Sequence, residues 1–186
     1  LRRQRQMCIR DRPNIEYGIA IDSFKVVRGF IEPRQTLGEI FYLYHIDHVM
    51  IDKIVNKSRG IFNFRSAIPG KKYTVLCTND SLENAQCLIY EESHTSYVVF
   101  DLRDSIHVYR AQKEVDVQIR HASGHIETSL WDALVSNKMS PALVMELSTI
   151  YAWAIDFFRI QKGDFFKVIY EEKFVEQEFI GIGRVL

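Results

Sequence analysis

Patterns of apolar and polar positions predict a strand followed by two helices near the start of the chain. The segment FKVVRGFI, residues 24–31, mixes β-branched and aromatic residues, which is typical of a strand. Thr36 stands three residues before Glu39, the spacing of a capping box, and predicts the start of a first helix. A second helix is predicted to begin at Asp47 and to end near Gly60, with Val49, Met50 and Ile54 on its buried face.

A second strand completes the first module. The segment KKYTVLC, residues 71–77, follows the turn-forming pair Pro69-Gly70 and has the composition of a strand. A strand, two helices and a strand make a β-α-α-β unit of about fifty residues, which is small but can still enclose a core. We therefore place the first module at residues 13–80.

The rest of the chain, residues 81–186, predicts an antiparallel-sheet module with two packed helices. One helix is expected after Ser129 and the next from Pro141, and two strands around a turn at residues 175–178 are expected after Gly163. Four strand-like runs bounded by turn formers precede these helices and predict an antiparallel meander: CLIYEE, SYVVFDL, SIHVYRA and EVDVQIRHA. The predicted fold class is α+β.

Composition supports a folded protein. The 186 residues are 47% hydrophobic and 12% aromatic, which excludes disorder as a description of the whole chain. No stretch approaches eighteen uninterrupted apolar residues, so the sequence predicts no transmembrane helix. The first residues also lack the apolar segment of a signal peptide.

The first twelve residues, LRRQRQMCIRDR, differ in charge from everything after them. They contain five arginines and one aspartate, so without them the 24 basic and 24 acidic residues become 19 and 23, a net charge of −4. A mildly acidic body argues against nucleic acid as a partner, because phosphate binding needs a basic face. We interpret residues 1–12 as a non-native extension that looks like a translated sequencing adapter, in which case the native N-terminus is missing too.

Two cysteines outside this extension flank the polar segment TNDSLENAQ. If the strands before and after it form a hairpin centred near Leu82, Cys77 and Cys87 lie opposite each other, and a disulfide is geometrically possible. The alternative, which we favour, is two small, half-buried strand residues with free thiols.

Two pairs of residues, one His–Asp and one His–His, have spacings that could bind a metal ion. His48 and Asp52 are four residues apart in the second predicted helix, and a turn at Ser123-Gly124 could bring His121 and His125 to the same side. Zinc needs three or four ligands, and no His-x-His motif completes either set. We therefore interpret His48 and Asp52 as a helix-surface pair and the other two histidines as solvated turn residues. No metal ligand is assigned.

The sequence shows no recognisable set of residues for covalent or acid–base catalysis. The chain has no Gly-x-Ser-x-Gly motif, and the cysteines lack basic neighbours that lower a thiol pKa. The pairs Glu91-Glu92 and Glu171-Glu172 could suggest a glycosidase, but adjacent strand residues point to opposite faces. We interpret them as solvated strand ends. Four aromatic residues could stack on a sugar, but their helical spacing favours a core role: Tyr151, Trp153, Phe157 and Phe158. No catalytic or cofactor-binding residue is assigned.

Six segments of the chain carry a resemblance to a known family: YGIAIDSFKVVRGFIEPRQTLGEIFYLYHIDHVMIDKIV, IPGKKYTVLC, SYVVFDLRDSIHVYR, TSLWDAL, PALVMELSTIYAWAIDFFRIQKGDFFKVIYEE and IGIGRVL. They resemble the N-terminal region of lysostaphin-type (LytM-type) zinc peptidoglycan endopeptidases of Bacteroidota. The resemblance extends over residues 15–186, and its most specific part is the stretch IDFFRIQKGDFFKVIYEE. The first module is similar to the family's LysM- or OapA-like domain through RQTLGEIF, with Arg34 and Gln35 in place of the usual Gly-Asp.

This resemblance implies an exported, periplasmic or envelope protein that acts on peptidoglycan. In such enzymes a catalytic domain with His-x-x-x-Asp and His-x-His zinc ligands follows these modules, so we expect that domain beyond Leu186. The expected cofactor of the whole protein is zinc, with none bound by the present residues. The expected partners are peptidoglycan and the protein's own peptidase domain, which the modules would cover or position on the wall.

Two other functions remain open at this point. The chain could be a stand-alone binding module, which recognises glycan through the LysM-like unit or protein through an exposed sheet edge. It could also be an uncharacterised enzyme built around His121, His125 and nearby acids.

Overall fold

The computed structural model describes residues 13–136, 139–151 and 159–186, and the chain forms two compact units, Leu1–Lys113 and Glu114–Leu186. Both units combine helices with antiparallel sheets, so the predicted α+β class is confirmed. Within the described ranges, no helix combines the length and the apolar character that a membrane crossing needs.

The first unit contains a five-stranded antiparallel meander in which sequential strands are neighbours. Its strands are β3 (Lys25–Phe30), β4 (Lys72–Cys77), β5 (Ala85–Glu91), β6 (Ser96–Asp101) and β7 (His107–Gln112). A short hairpin of β1 (Ile15–Glu16) and β2 (Ile19–Ala20) precedes the sheet. The connection from β3 to β4 carries α1 (Leu37–Leu43), α2 (His48–Ser58) and a 3-10 helix (Phe64–Ser66).

Local signals place the two helices of the first unit as predicted. The Thr36 side chain accepts the Glu39 amide hydrogen bond at 3.2 Å, and the Glu39 carboxylate accepts from the Thr36 amide at 2.8 Å. This is a complete capping box. Asp47 caps α2 because its side chain accepts a 2.7 Å hydrogen bond from the Met50 amide. Gly60 lies just after the end of α2 and has a positive φ of 83°.

The sheet of the first unit is buried on both faces. One face carries a core shared with α1 and α2, which includes Phe41, Leu88 and Phe100. The other face packs against the β1–β2 hairpin through Leu76 and Ile89. Because both faces are covered, neighbouring residues along the central strands are buried together, and the strands are continuously apolar rather than alternating.

The second unit has a three-stranded antiparallel sheet in the order β10-β9-β8. Its elements are β8 (Asp116–His125), α3 (Leu130–Ser136), α4 (Pro141–Tyr151), β9 (Phe165–Val175) and β10 (Glu178–Val185). The helices α3 and α4 contact each other, and Leu134 and Leu147 pack with Val168 of β9. Two residues with positive φ, Glu176 and Gln177, form the tight turn that was predicted between the last two strands.

The observed division of the chain differs from the predicted one. The boundary expected between residues 80 and 81 falls in the turn between β4 and β5, two hydrogen-bonded strands of one sheet. The units instead separate between Lys113 and Glu114. The strand that was expected to end the meander, β8, pairs with β9 in the second unit. Short turns favour pairing between sequential strands, but they do not show where a meander ends.

The side of α2 that is buried also differs from the prediction. Val49 is 65% exposed and Met50 is 36% exposed, whereas Ile54 is fully buried as expected. The inward face continues through Ser58, four residues after Ile54, because positions four apart share a side of a helix.

Candidate functional site

His48 and Asp52 lie on the exposed surface of α2. The His48 ring stacks on Tyr42 with centroids 5.1 Å apart and an interplanar angle of 18°. Among the residues that the structure describes, no group of three His, Cys, Asp or Glu side chains could hold a metal ion. The two side chains therefore form part of a solvated helix surface.

The structure separates His121 from His125. Both belong to the continuous strand β8, so the turn predicted at Ser123-Gly124 is wrong. Four residues along a strand span about 13 Å, which is too far for two imidazoles to bind one ion. The His125 ring instead contacts Phe165 across the sheet, edge to face, with centroids 5.2 Å apart.

The carboxylates of Glu91 and Glu92 have structural partners. Glu91 accepts a 2.7 Å hydrogen bond from the Tyr17 hydroxyl and a 3.1 Å contact from Lys113. These contacts tie the β1–β2 hairpin to the main sheet. Glu92 receives two hydrogen bonds from the Arg110 guanidinium, at 2.6 and 2.9 Å. The pair does not converge on one substrate position.

Glu171 and Glu172 are likewise engaged, and Glu171 is not the solvated strand end that was expected. It is buried and accepts hydrogen bonds from the Arg184 guanidinium at 2.8 Å and from the Arg184 amide at 3.1 Å. These bonds lower the pKa of the Glu171 carboxyl, because they stabilise its ionised form. Glu172 accepts a 3.2 Å contact from Arg120 on the neighbouring strand.

The two cysteines are free, fully buried and not opposite each other. A bulge in the β4–β5 pairing places Cys87 opposite Leu76 and Cys77 opposite Ala85. The thiols therefore belong to the cores on opposite faces of the sheet. Burial raises the pKa of the Cys87 thiol to about 12 and also raises the pKa of the Cys77 thiol, so neither has the character of a nucleophile.

Three members of the aromatic set, Trp153, Phe157 and Phe158, lie outside the described residues. The fourth, Tyr151, is 37% exposed and borders a largely apolar cavity of about 440 Å³ in the second unit. Leu147 and Phe165 contribute to the same cavity wall.

The first unit has two polar cavities that no sequence motif indicates. They lie beside the contact between α2 and the edge strand β7, have volumes of about 650 and 660 Å³ and share no lining residue. We call the two cavities together the α2–β7 cleft. The polar and charged residues that line them are Lys53, Asn56, Lys57, Ser58, Arg59, Asn63, Arg65, Ser66, Glu92, Ser105, His107 and Arg110.

Positive charge dominates this cleft. The Glu92 carboxylate is neutralised by Arg110, and a 2.7 Å hydrogen bond joins Ser105 Oγ to His107 Nε2. In the described part of the chain, four further cations of the lining form no ion pair: Lys53, Lys57, Arg59 and Arg65. The cleft was missed because its walls come from segments about fifty residues apart, which the sheet brings together.

The fold of this chain is similar to part of two solved structures. A zinc-containing peptidase from Vibrio cholerae superposes with a TM-score of 0.54 and 16% identity, over 82% of this chain and 47% of that one. Helicobacter pylori Csd3, in its hexagonal crystal, superposes with a TM-score of 0.55 and 14% identity, over 86% of this chain and 43% of that one. At such identities the likeness concerns the fold. No family model matches the chain.

A curated protein also matches in sequence. The peptidoglycan DD-endopeptidase ShyC of Vibrio cholerae serotype O1 is 38% identical over 76 residues, which are 40% of this chain and 18% of ShyC. Identity at this level over such a length indicates homology between the two segments. The chain thus matches less than half the length of each of these proteins.

Proposed function

We propose that this chain acts as the non-catalytic N-terminal region of a zinc peptidoglycan endopeptidase of the lysostaphin (LytM) type, from a member of the Bacteroidota. The observation that carries this proposal is the 38% identity to a peptidoglycan DD-endopeptidase over 76 residues. The fold shared with a zinc-containing peptidase supports it. Its place of action would be the periplasm or cell envelope, where peptidoglycan is found.

The proposal divides the work between this chain and a C-terminal catalytic domain of a longer protein. In that domain zinc would polarise the scissile carbonyl and lower the pKa of its bound water. The LysM- or OapA-like part, which would lie within the first unit, and the following residues would position the enzyme on the wall or cover its active-site groove. This chain covers under half of each of the two solved structures that it resembles, which supports this division.

Two assays on the purified chain test the proposal. In co-sedimentation with insoluble peptidoglycan, we expect the chain to appear in the pellet. In zymography on gels that contain peptidoglycan, we expect no clearance by the chain alone. Clearance would contradict a non-catalytic role, and absence from the pellet would contradict a direct role in wall targeting.

A further inference from the structure

We infer that the α2–β7 cleft binds an extended acidic peptide, of the kind that peptidoglycan carries on its glycan strands. The inference deepens the proposed function and rests on it for the identity of the polymer. Its basis in the structure is the position of the cleft, its dimensions and its charge.

The first argument is geometric. In the described part of the chain, β7 pairs only with β6, so it is the edge of the sheet, and α2 packs against it. The six residues of β7 extend over about 20 Å, the length of five or six residues of an extended chain. One cavity lies beside residues 105–108, where β7 begins, and the other is lined by Arg110, further along the same strand. An extended ligand that follows β7 would therefore pass both cavities.

The second argument is electrostatic. Lys53 and Lys57 lie one helical turn apart, about 6 Å along α2, and Arg59 follows the end of that helix. Arg65 lies in the loop after that helix and lines the same cavity as Arg59. All four side chains are exposed. Four exposed cations that line neighbouring cavities complement a ligand with several carboxylates along an extended backbone.

The positive charge of these four cations is local rather than a property of the whole chain. The only carboxylate among the described lining residues, Glu92, already receives two hydrogen bonds from Arg110. Two nearby carboxylates in the sequence, Asp52 and Asp104, line neither cavity. An acidic ligand would therefore meet unneutralised cations in a chain whose formal net charge is zero.

The lining also contains hydrogen-bonding groups suited to a peptide. Asn56 and Asn63 can each donate and accept, as the amide groups of a peptide require. The side chains of Ser105 and His107 form a hydrogen bond with each other. They lie where β7 begins and add a polar pair to the lining there. Pure charge attraction would not need these groups, whereas a peptide backbone would use them.

The test uses the full 186-residue chain and three probes in calorimetric titrations. The first probe is the disaccharide tetrapeptide that a muramidase releases from peptidoglycan. The second is the same compound with its carboxyl groups converted to amides, and the third is the disaccharide without peptide. We expect the wild-type chain to bind the first probe, and the double variant Lys53→Glu/Lys57→Glu to bind it about tenfold more weakly. Loss of the probe's own carboxylates should weaken binding to a similar degree.

A matched control separates the cleft from net charge. The variant Lys72→Glu/Lys162→Glu makes the same change in net charge at two exposed lysines that line neither cavity, and we expect it to bind like wild type. Lys162 contacts Glu127, but both side chains are at least 70% exposed, so the loss of that pair should cost little. Circular dichroism of each variant confirms that it is folded.

The outcomes separate this inference from the proposed function. If the wild-type chain sediments with peptidoglycan but Lys53→Glu/Lys57→Glu leaves binding of the tetrapeptide probe unchanged, the cleft is not the site and the inference fails alone. The inference would also be overturned if the amidated probe bound as tightly as the unmodified one. A third contrary result would be that the peptide-free disaccharide binds the wild-type chain and that Lys53→Glu/Lys57→Glu abolishes this binding. If the chain binds neither peptidoglycan nor any probe, the proposed wall-targeting role fails as well.

Discussion

At the scale of single residues, one bulge between β4 and β5 sets the chemistry of both buried cysteines. Because side chains alternate between the two faces of a strand, a slip of one residue in the pairing sends a side chain to the other face. Cys77 therefore faces the helices and Cys87 faces the β1–β2 hairpin. Neither thiol is exposed to solvent or within reach of the other.

This arrangement predicts the reactivity of the thiols. In a Cys8→Ser variant, which removes the third cysteine, we expect no rapid reaction of the folded chain with a disulfide reagent such as DTNB. After unfolding in guanidinium without reductant, two thiols per chain should react, since burial alone protects them. Absence of reactive thiols in the unfolded chain would show a disulfide and contradict the observed register.

Carboxylates that are largely covered and paired with basic residues are the other feature that acts at this scale. Glu171 lies under Arg184, and the carboxylate of Glu91 joins Tyr17 to Lys113. Each carboxylate has protein hydrogen-bond donors in place of water, which is the condition for burying a charge at low cost. These residues connect neighbouring strands. Their carboxylate oxygens already accept hydrogen bonds from the protein, so the acidic pairs that suggested catalysis are not free to act on a substrate.

At the scale of elements, the helix starts depend on local capping. Thr36 and Glu39 satisfy two amide groups that would otherwise lack partners in the first turn of α1. Asp47 does the same for α2, and Ser129 accepts a 3.0 Å hydrogen bond from the Asp132 amide before α3. These contacts span three residues, so they form in the same way wherever the segment lies in the fold.

The cap of α1 gives a stability prediction. The substitution Thr36→Ala should lower the free energy of unfolding of the first unit by about 1 kcal/mol, because the Glu39 amide loses its acceptor. The conservative variant Thr36→Ser keeps the hydroxyl and should remain close to wild type. Urea unfolding followed by far-UV circular dichroism measures both. Equal losses in the two variants would show that the methyl group, rather than the hydrogen bond, is responsible.

At the scale of the whole molecule, the histidines that could bind a metal lie in separate elements. His48 and Asp52 are on α2 of the first unit, and His121 and His125 are spread along β8 of the second. Each local pair supplies at most two ligands, whereas structural or catalytic zinc requires at least three from the protein.

We therefore expect the isolated chain to bind zinc well below one ion per chain. Elemental analysis after dialysis against buffer with excess zinc, and then against metal-free buffer, measures the ratio. A His48→Ala/His121→Ala variant serves as the control for weak surface binding and should give the same ratio as wild type. One tightly held zinc per wild-type chain would contradict the expectation.

The sequence by itself determined the α+β class, both helices of the β3–β4 connection, the start of α4 at Pro141 and the tight turn before β10. These features depend on caps, turn residues and periodic apolar positions, all of which act over a few neighbouring residues. The sequence also determined that neither acidic pair could flank one bond, because alternation along a strand is a local property.

Only the tertiary structure decided where one unit ends and which sheet β8 joins. It also decided which residues lie opposite Cys77 and Cys87 and where the α2–β7 cleft lies. Each of these depends on pairing between segments that are distant along the chain, and many pairings satisfy the same local pattern of apolar residues. The cations of the cleft have no informative spacing in the sequence. They become one surface because α2 packs against β7, which follows it by about fifty residues.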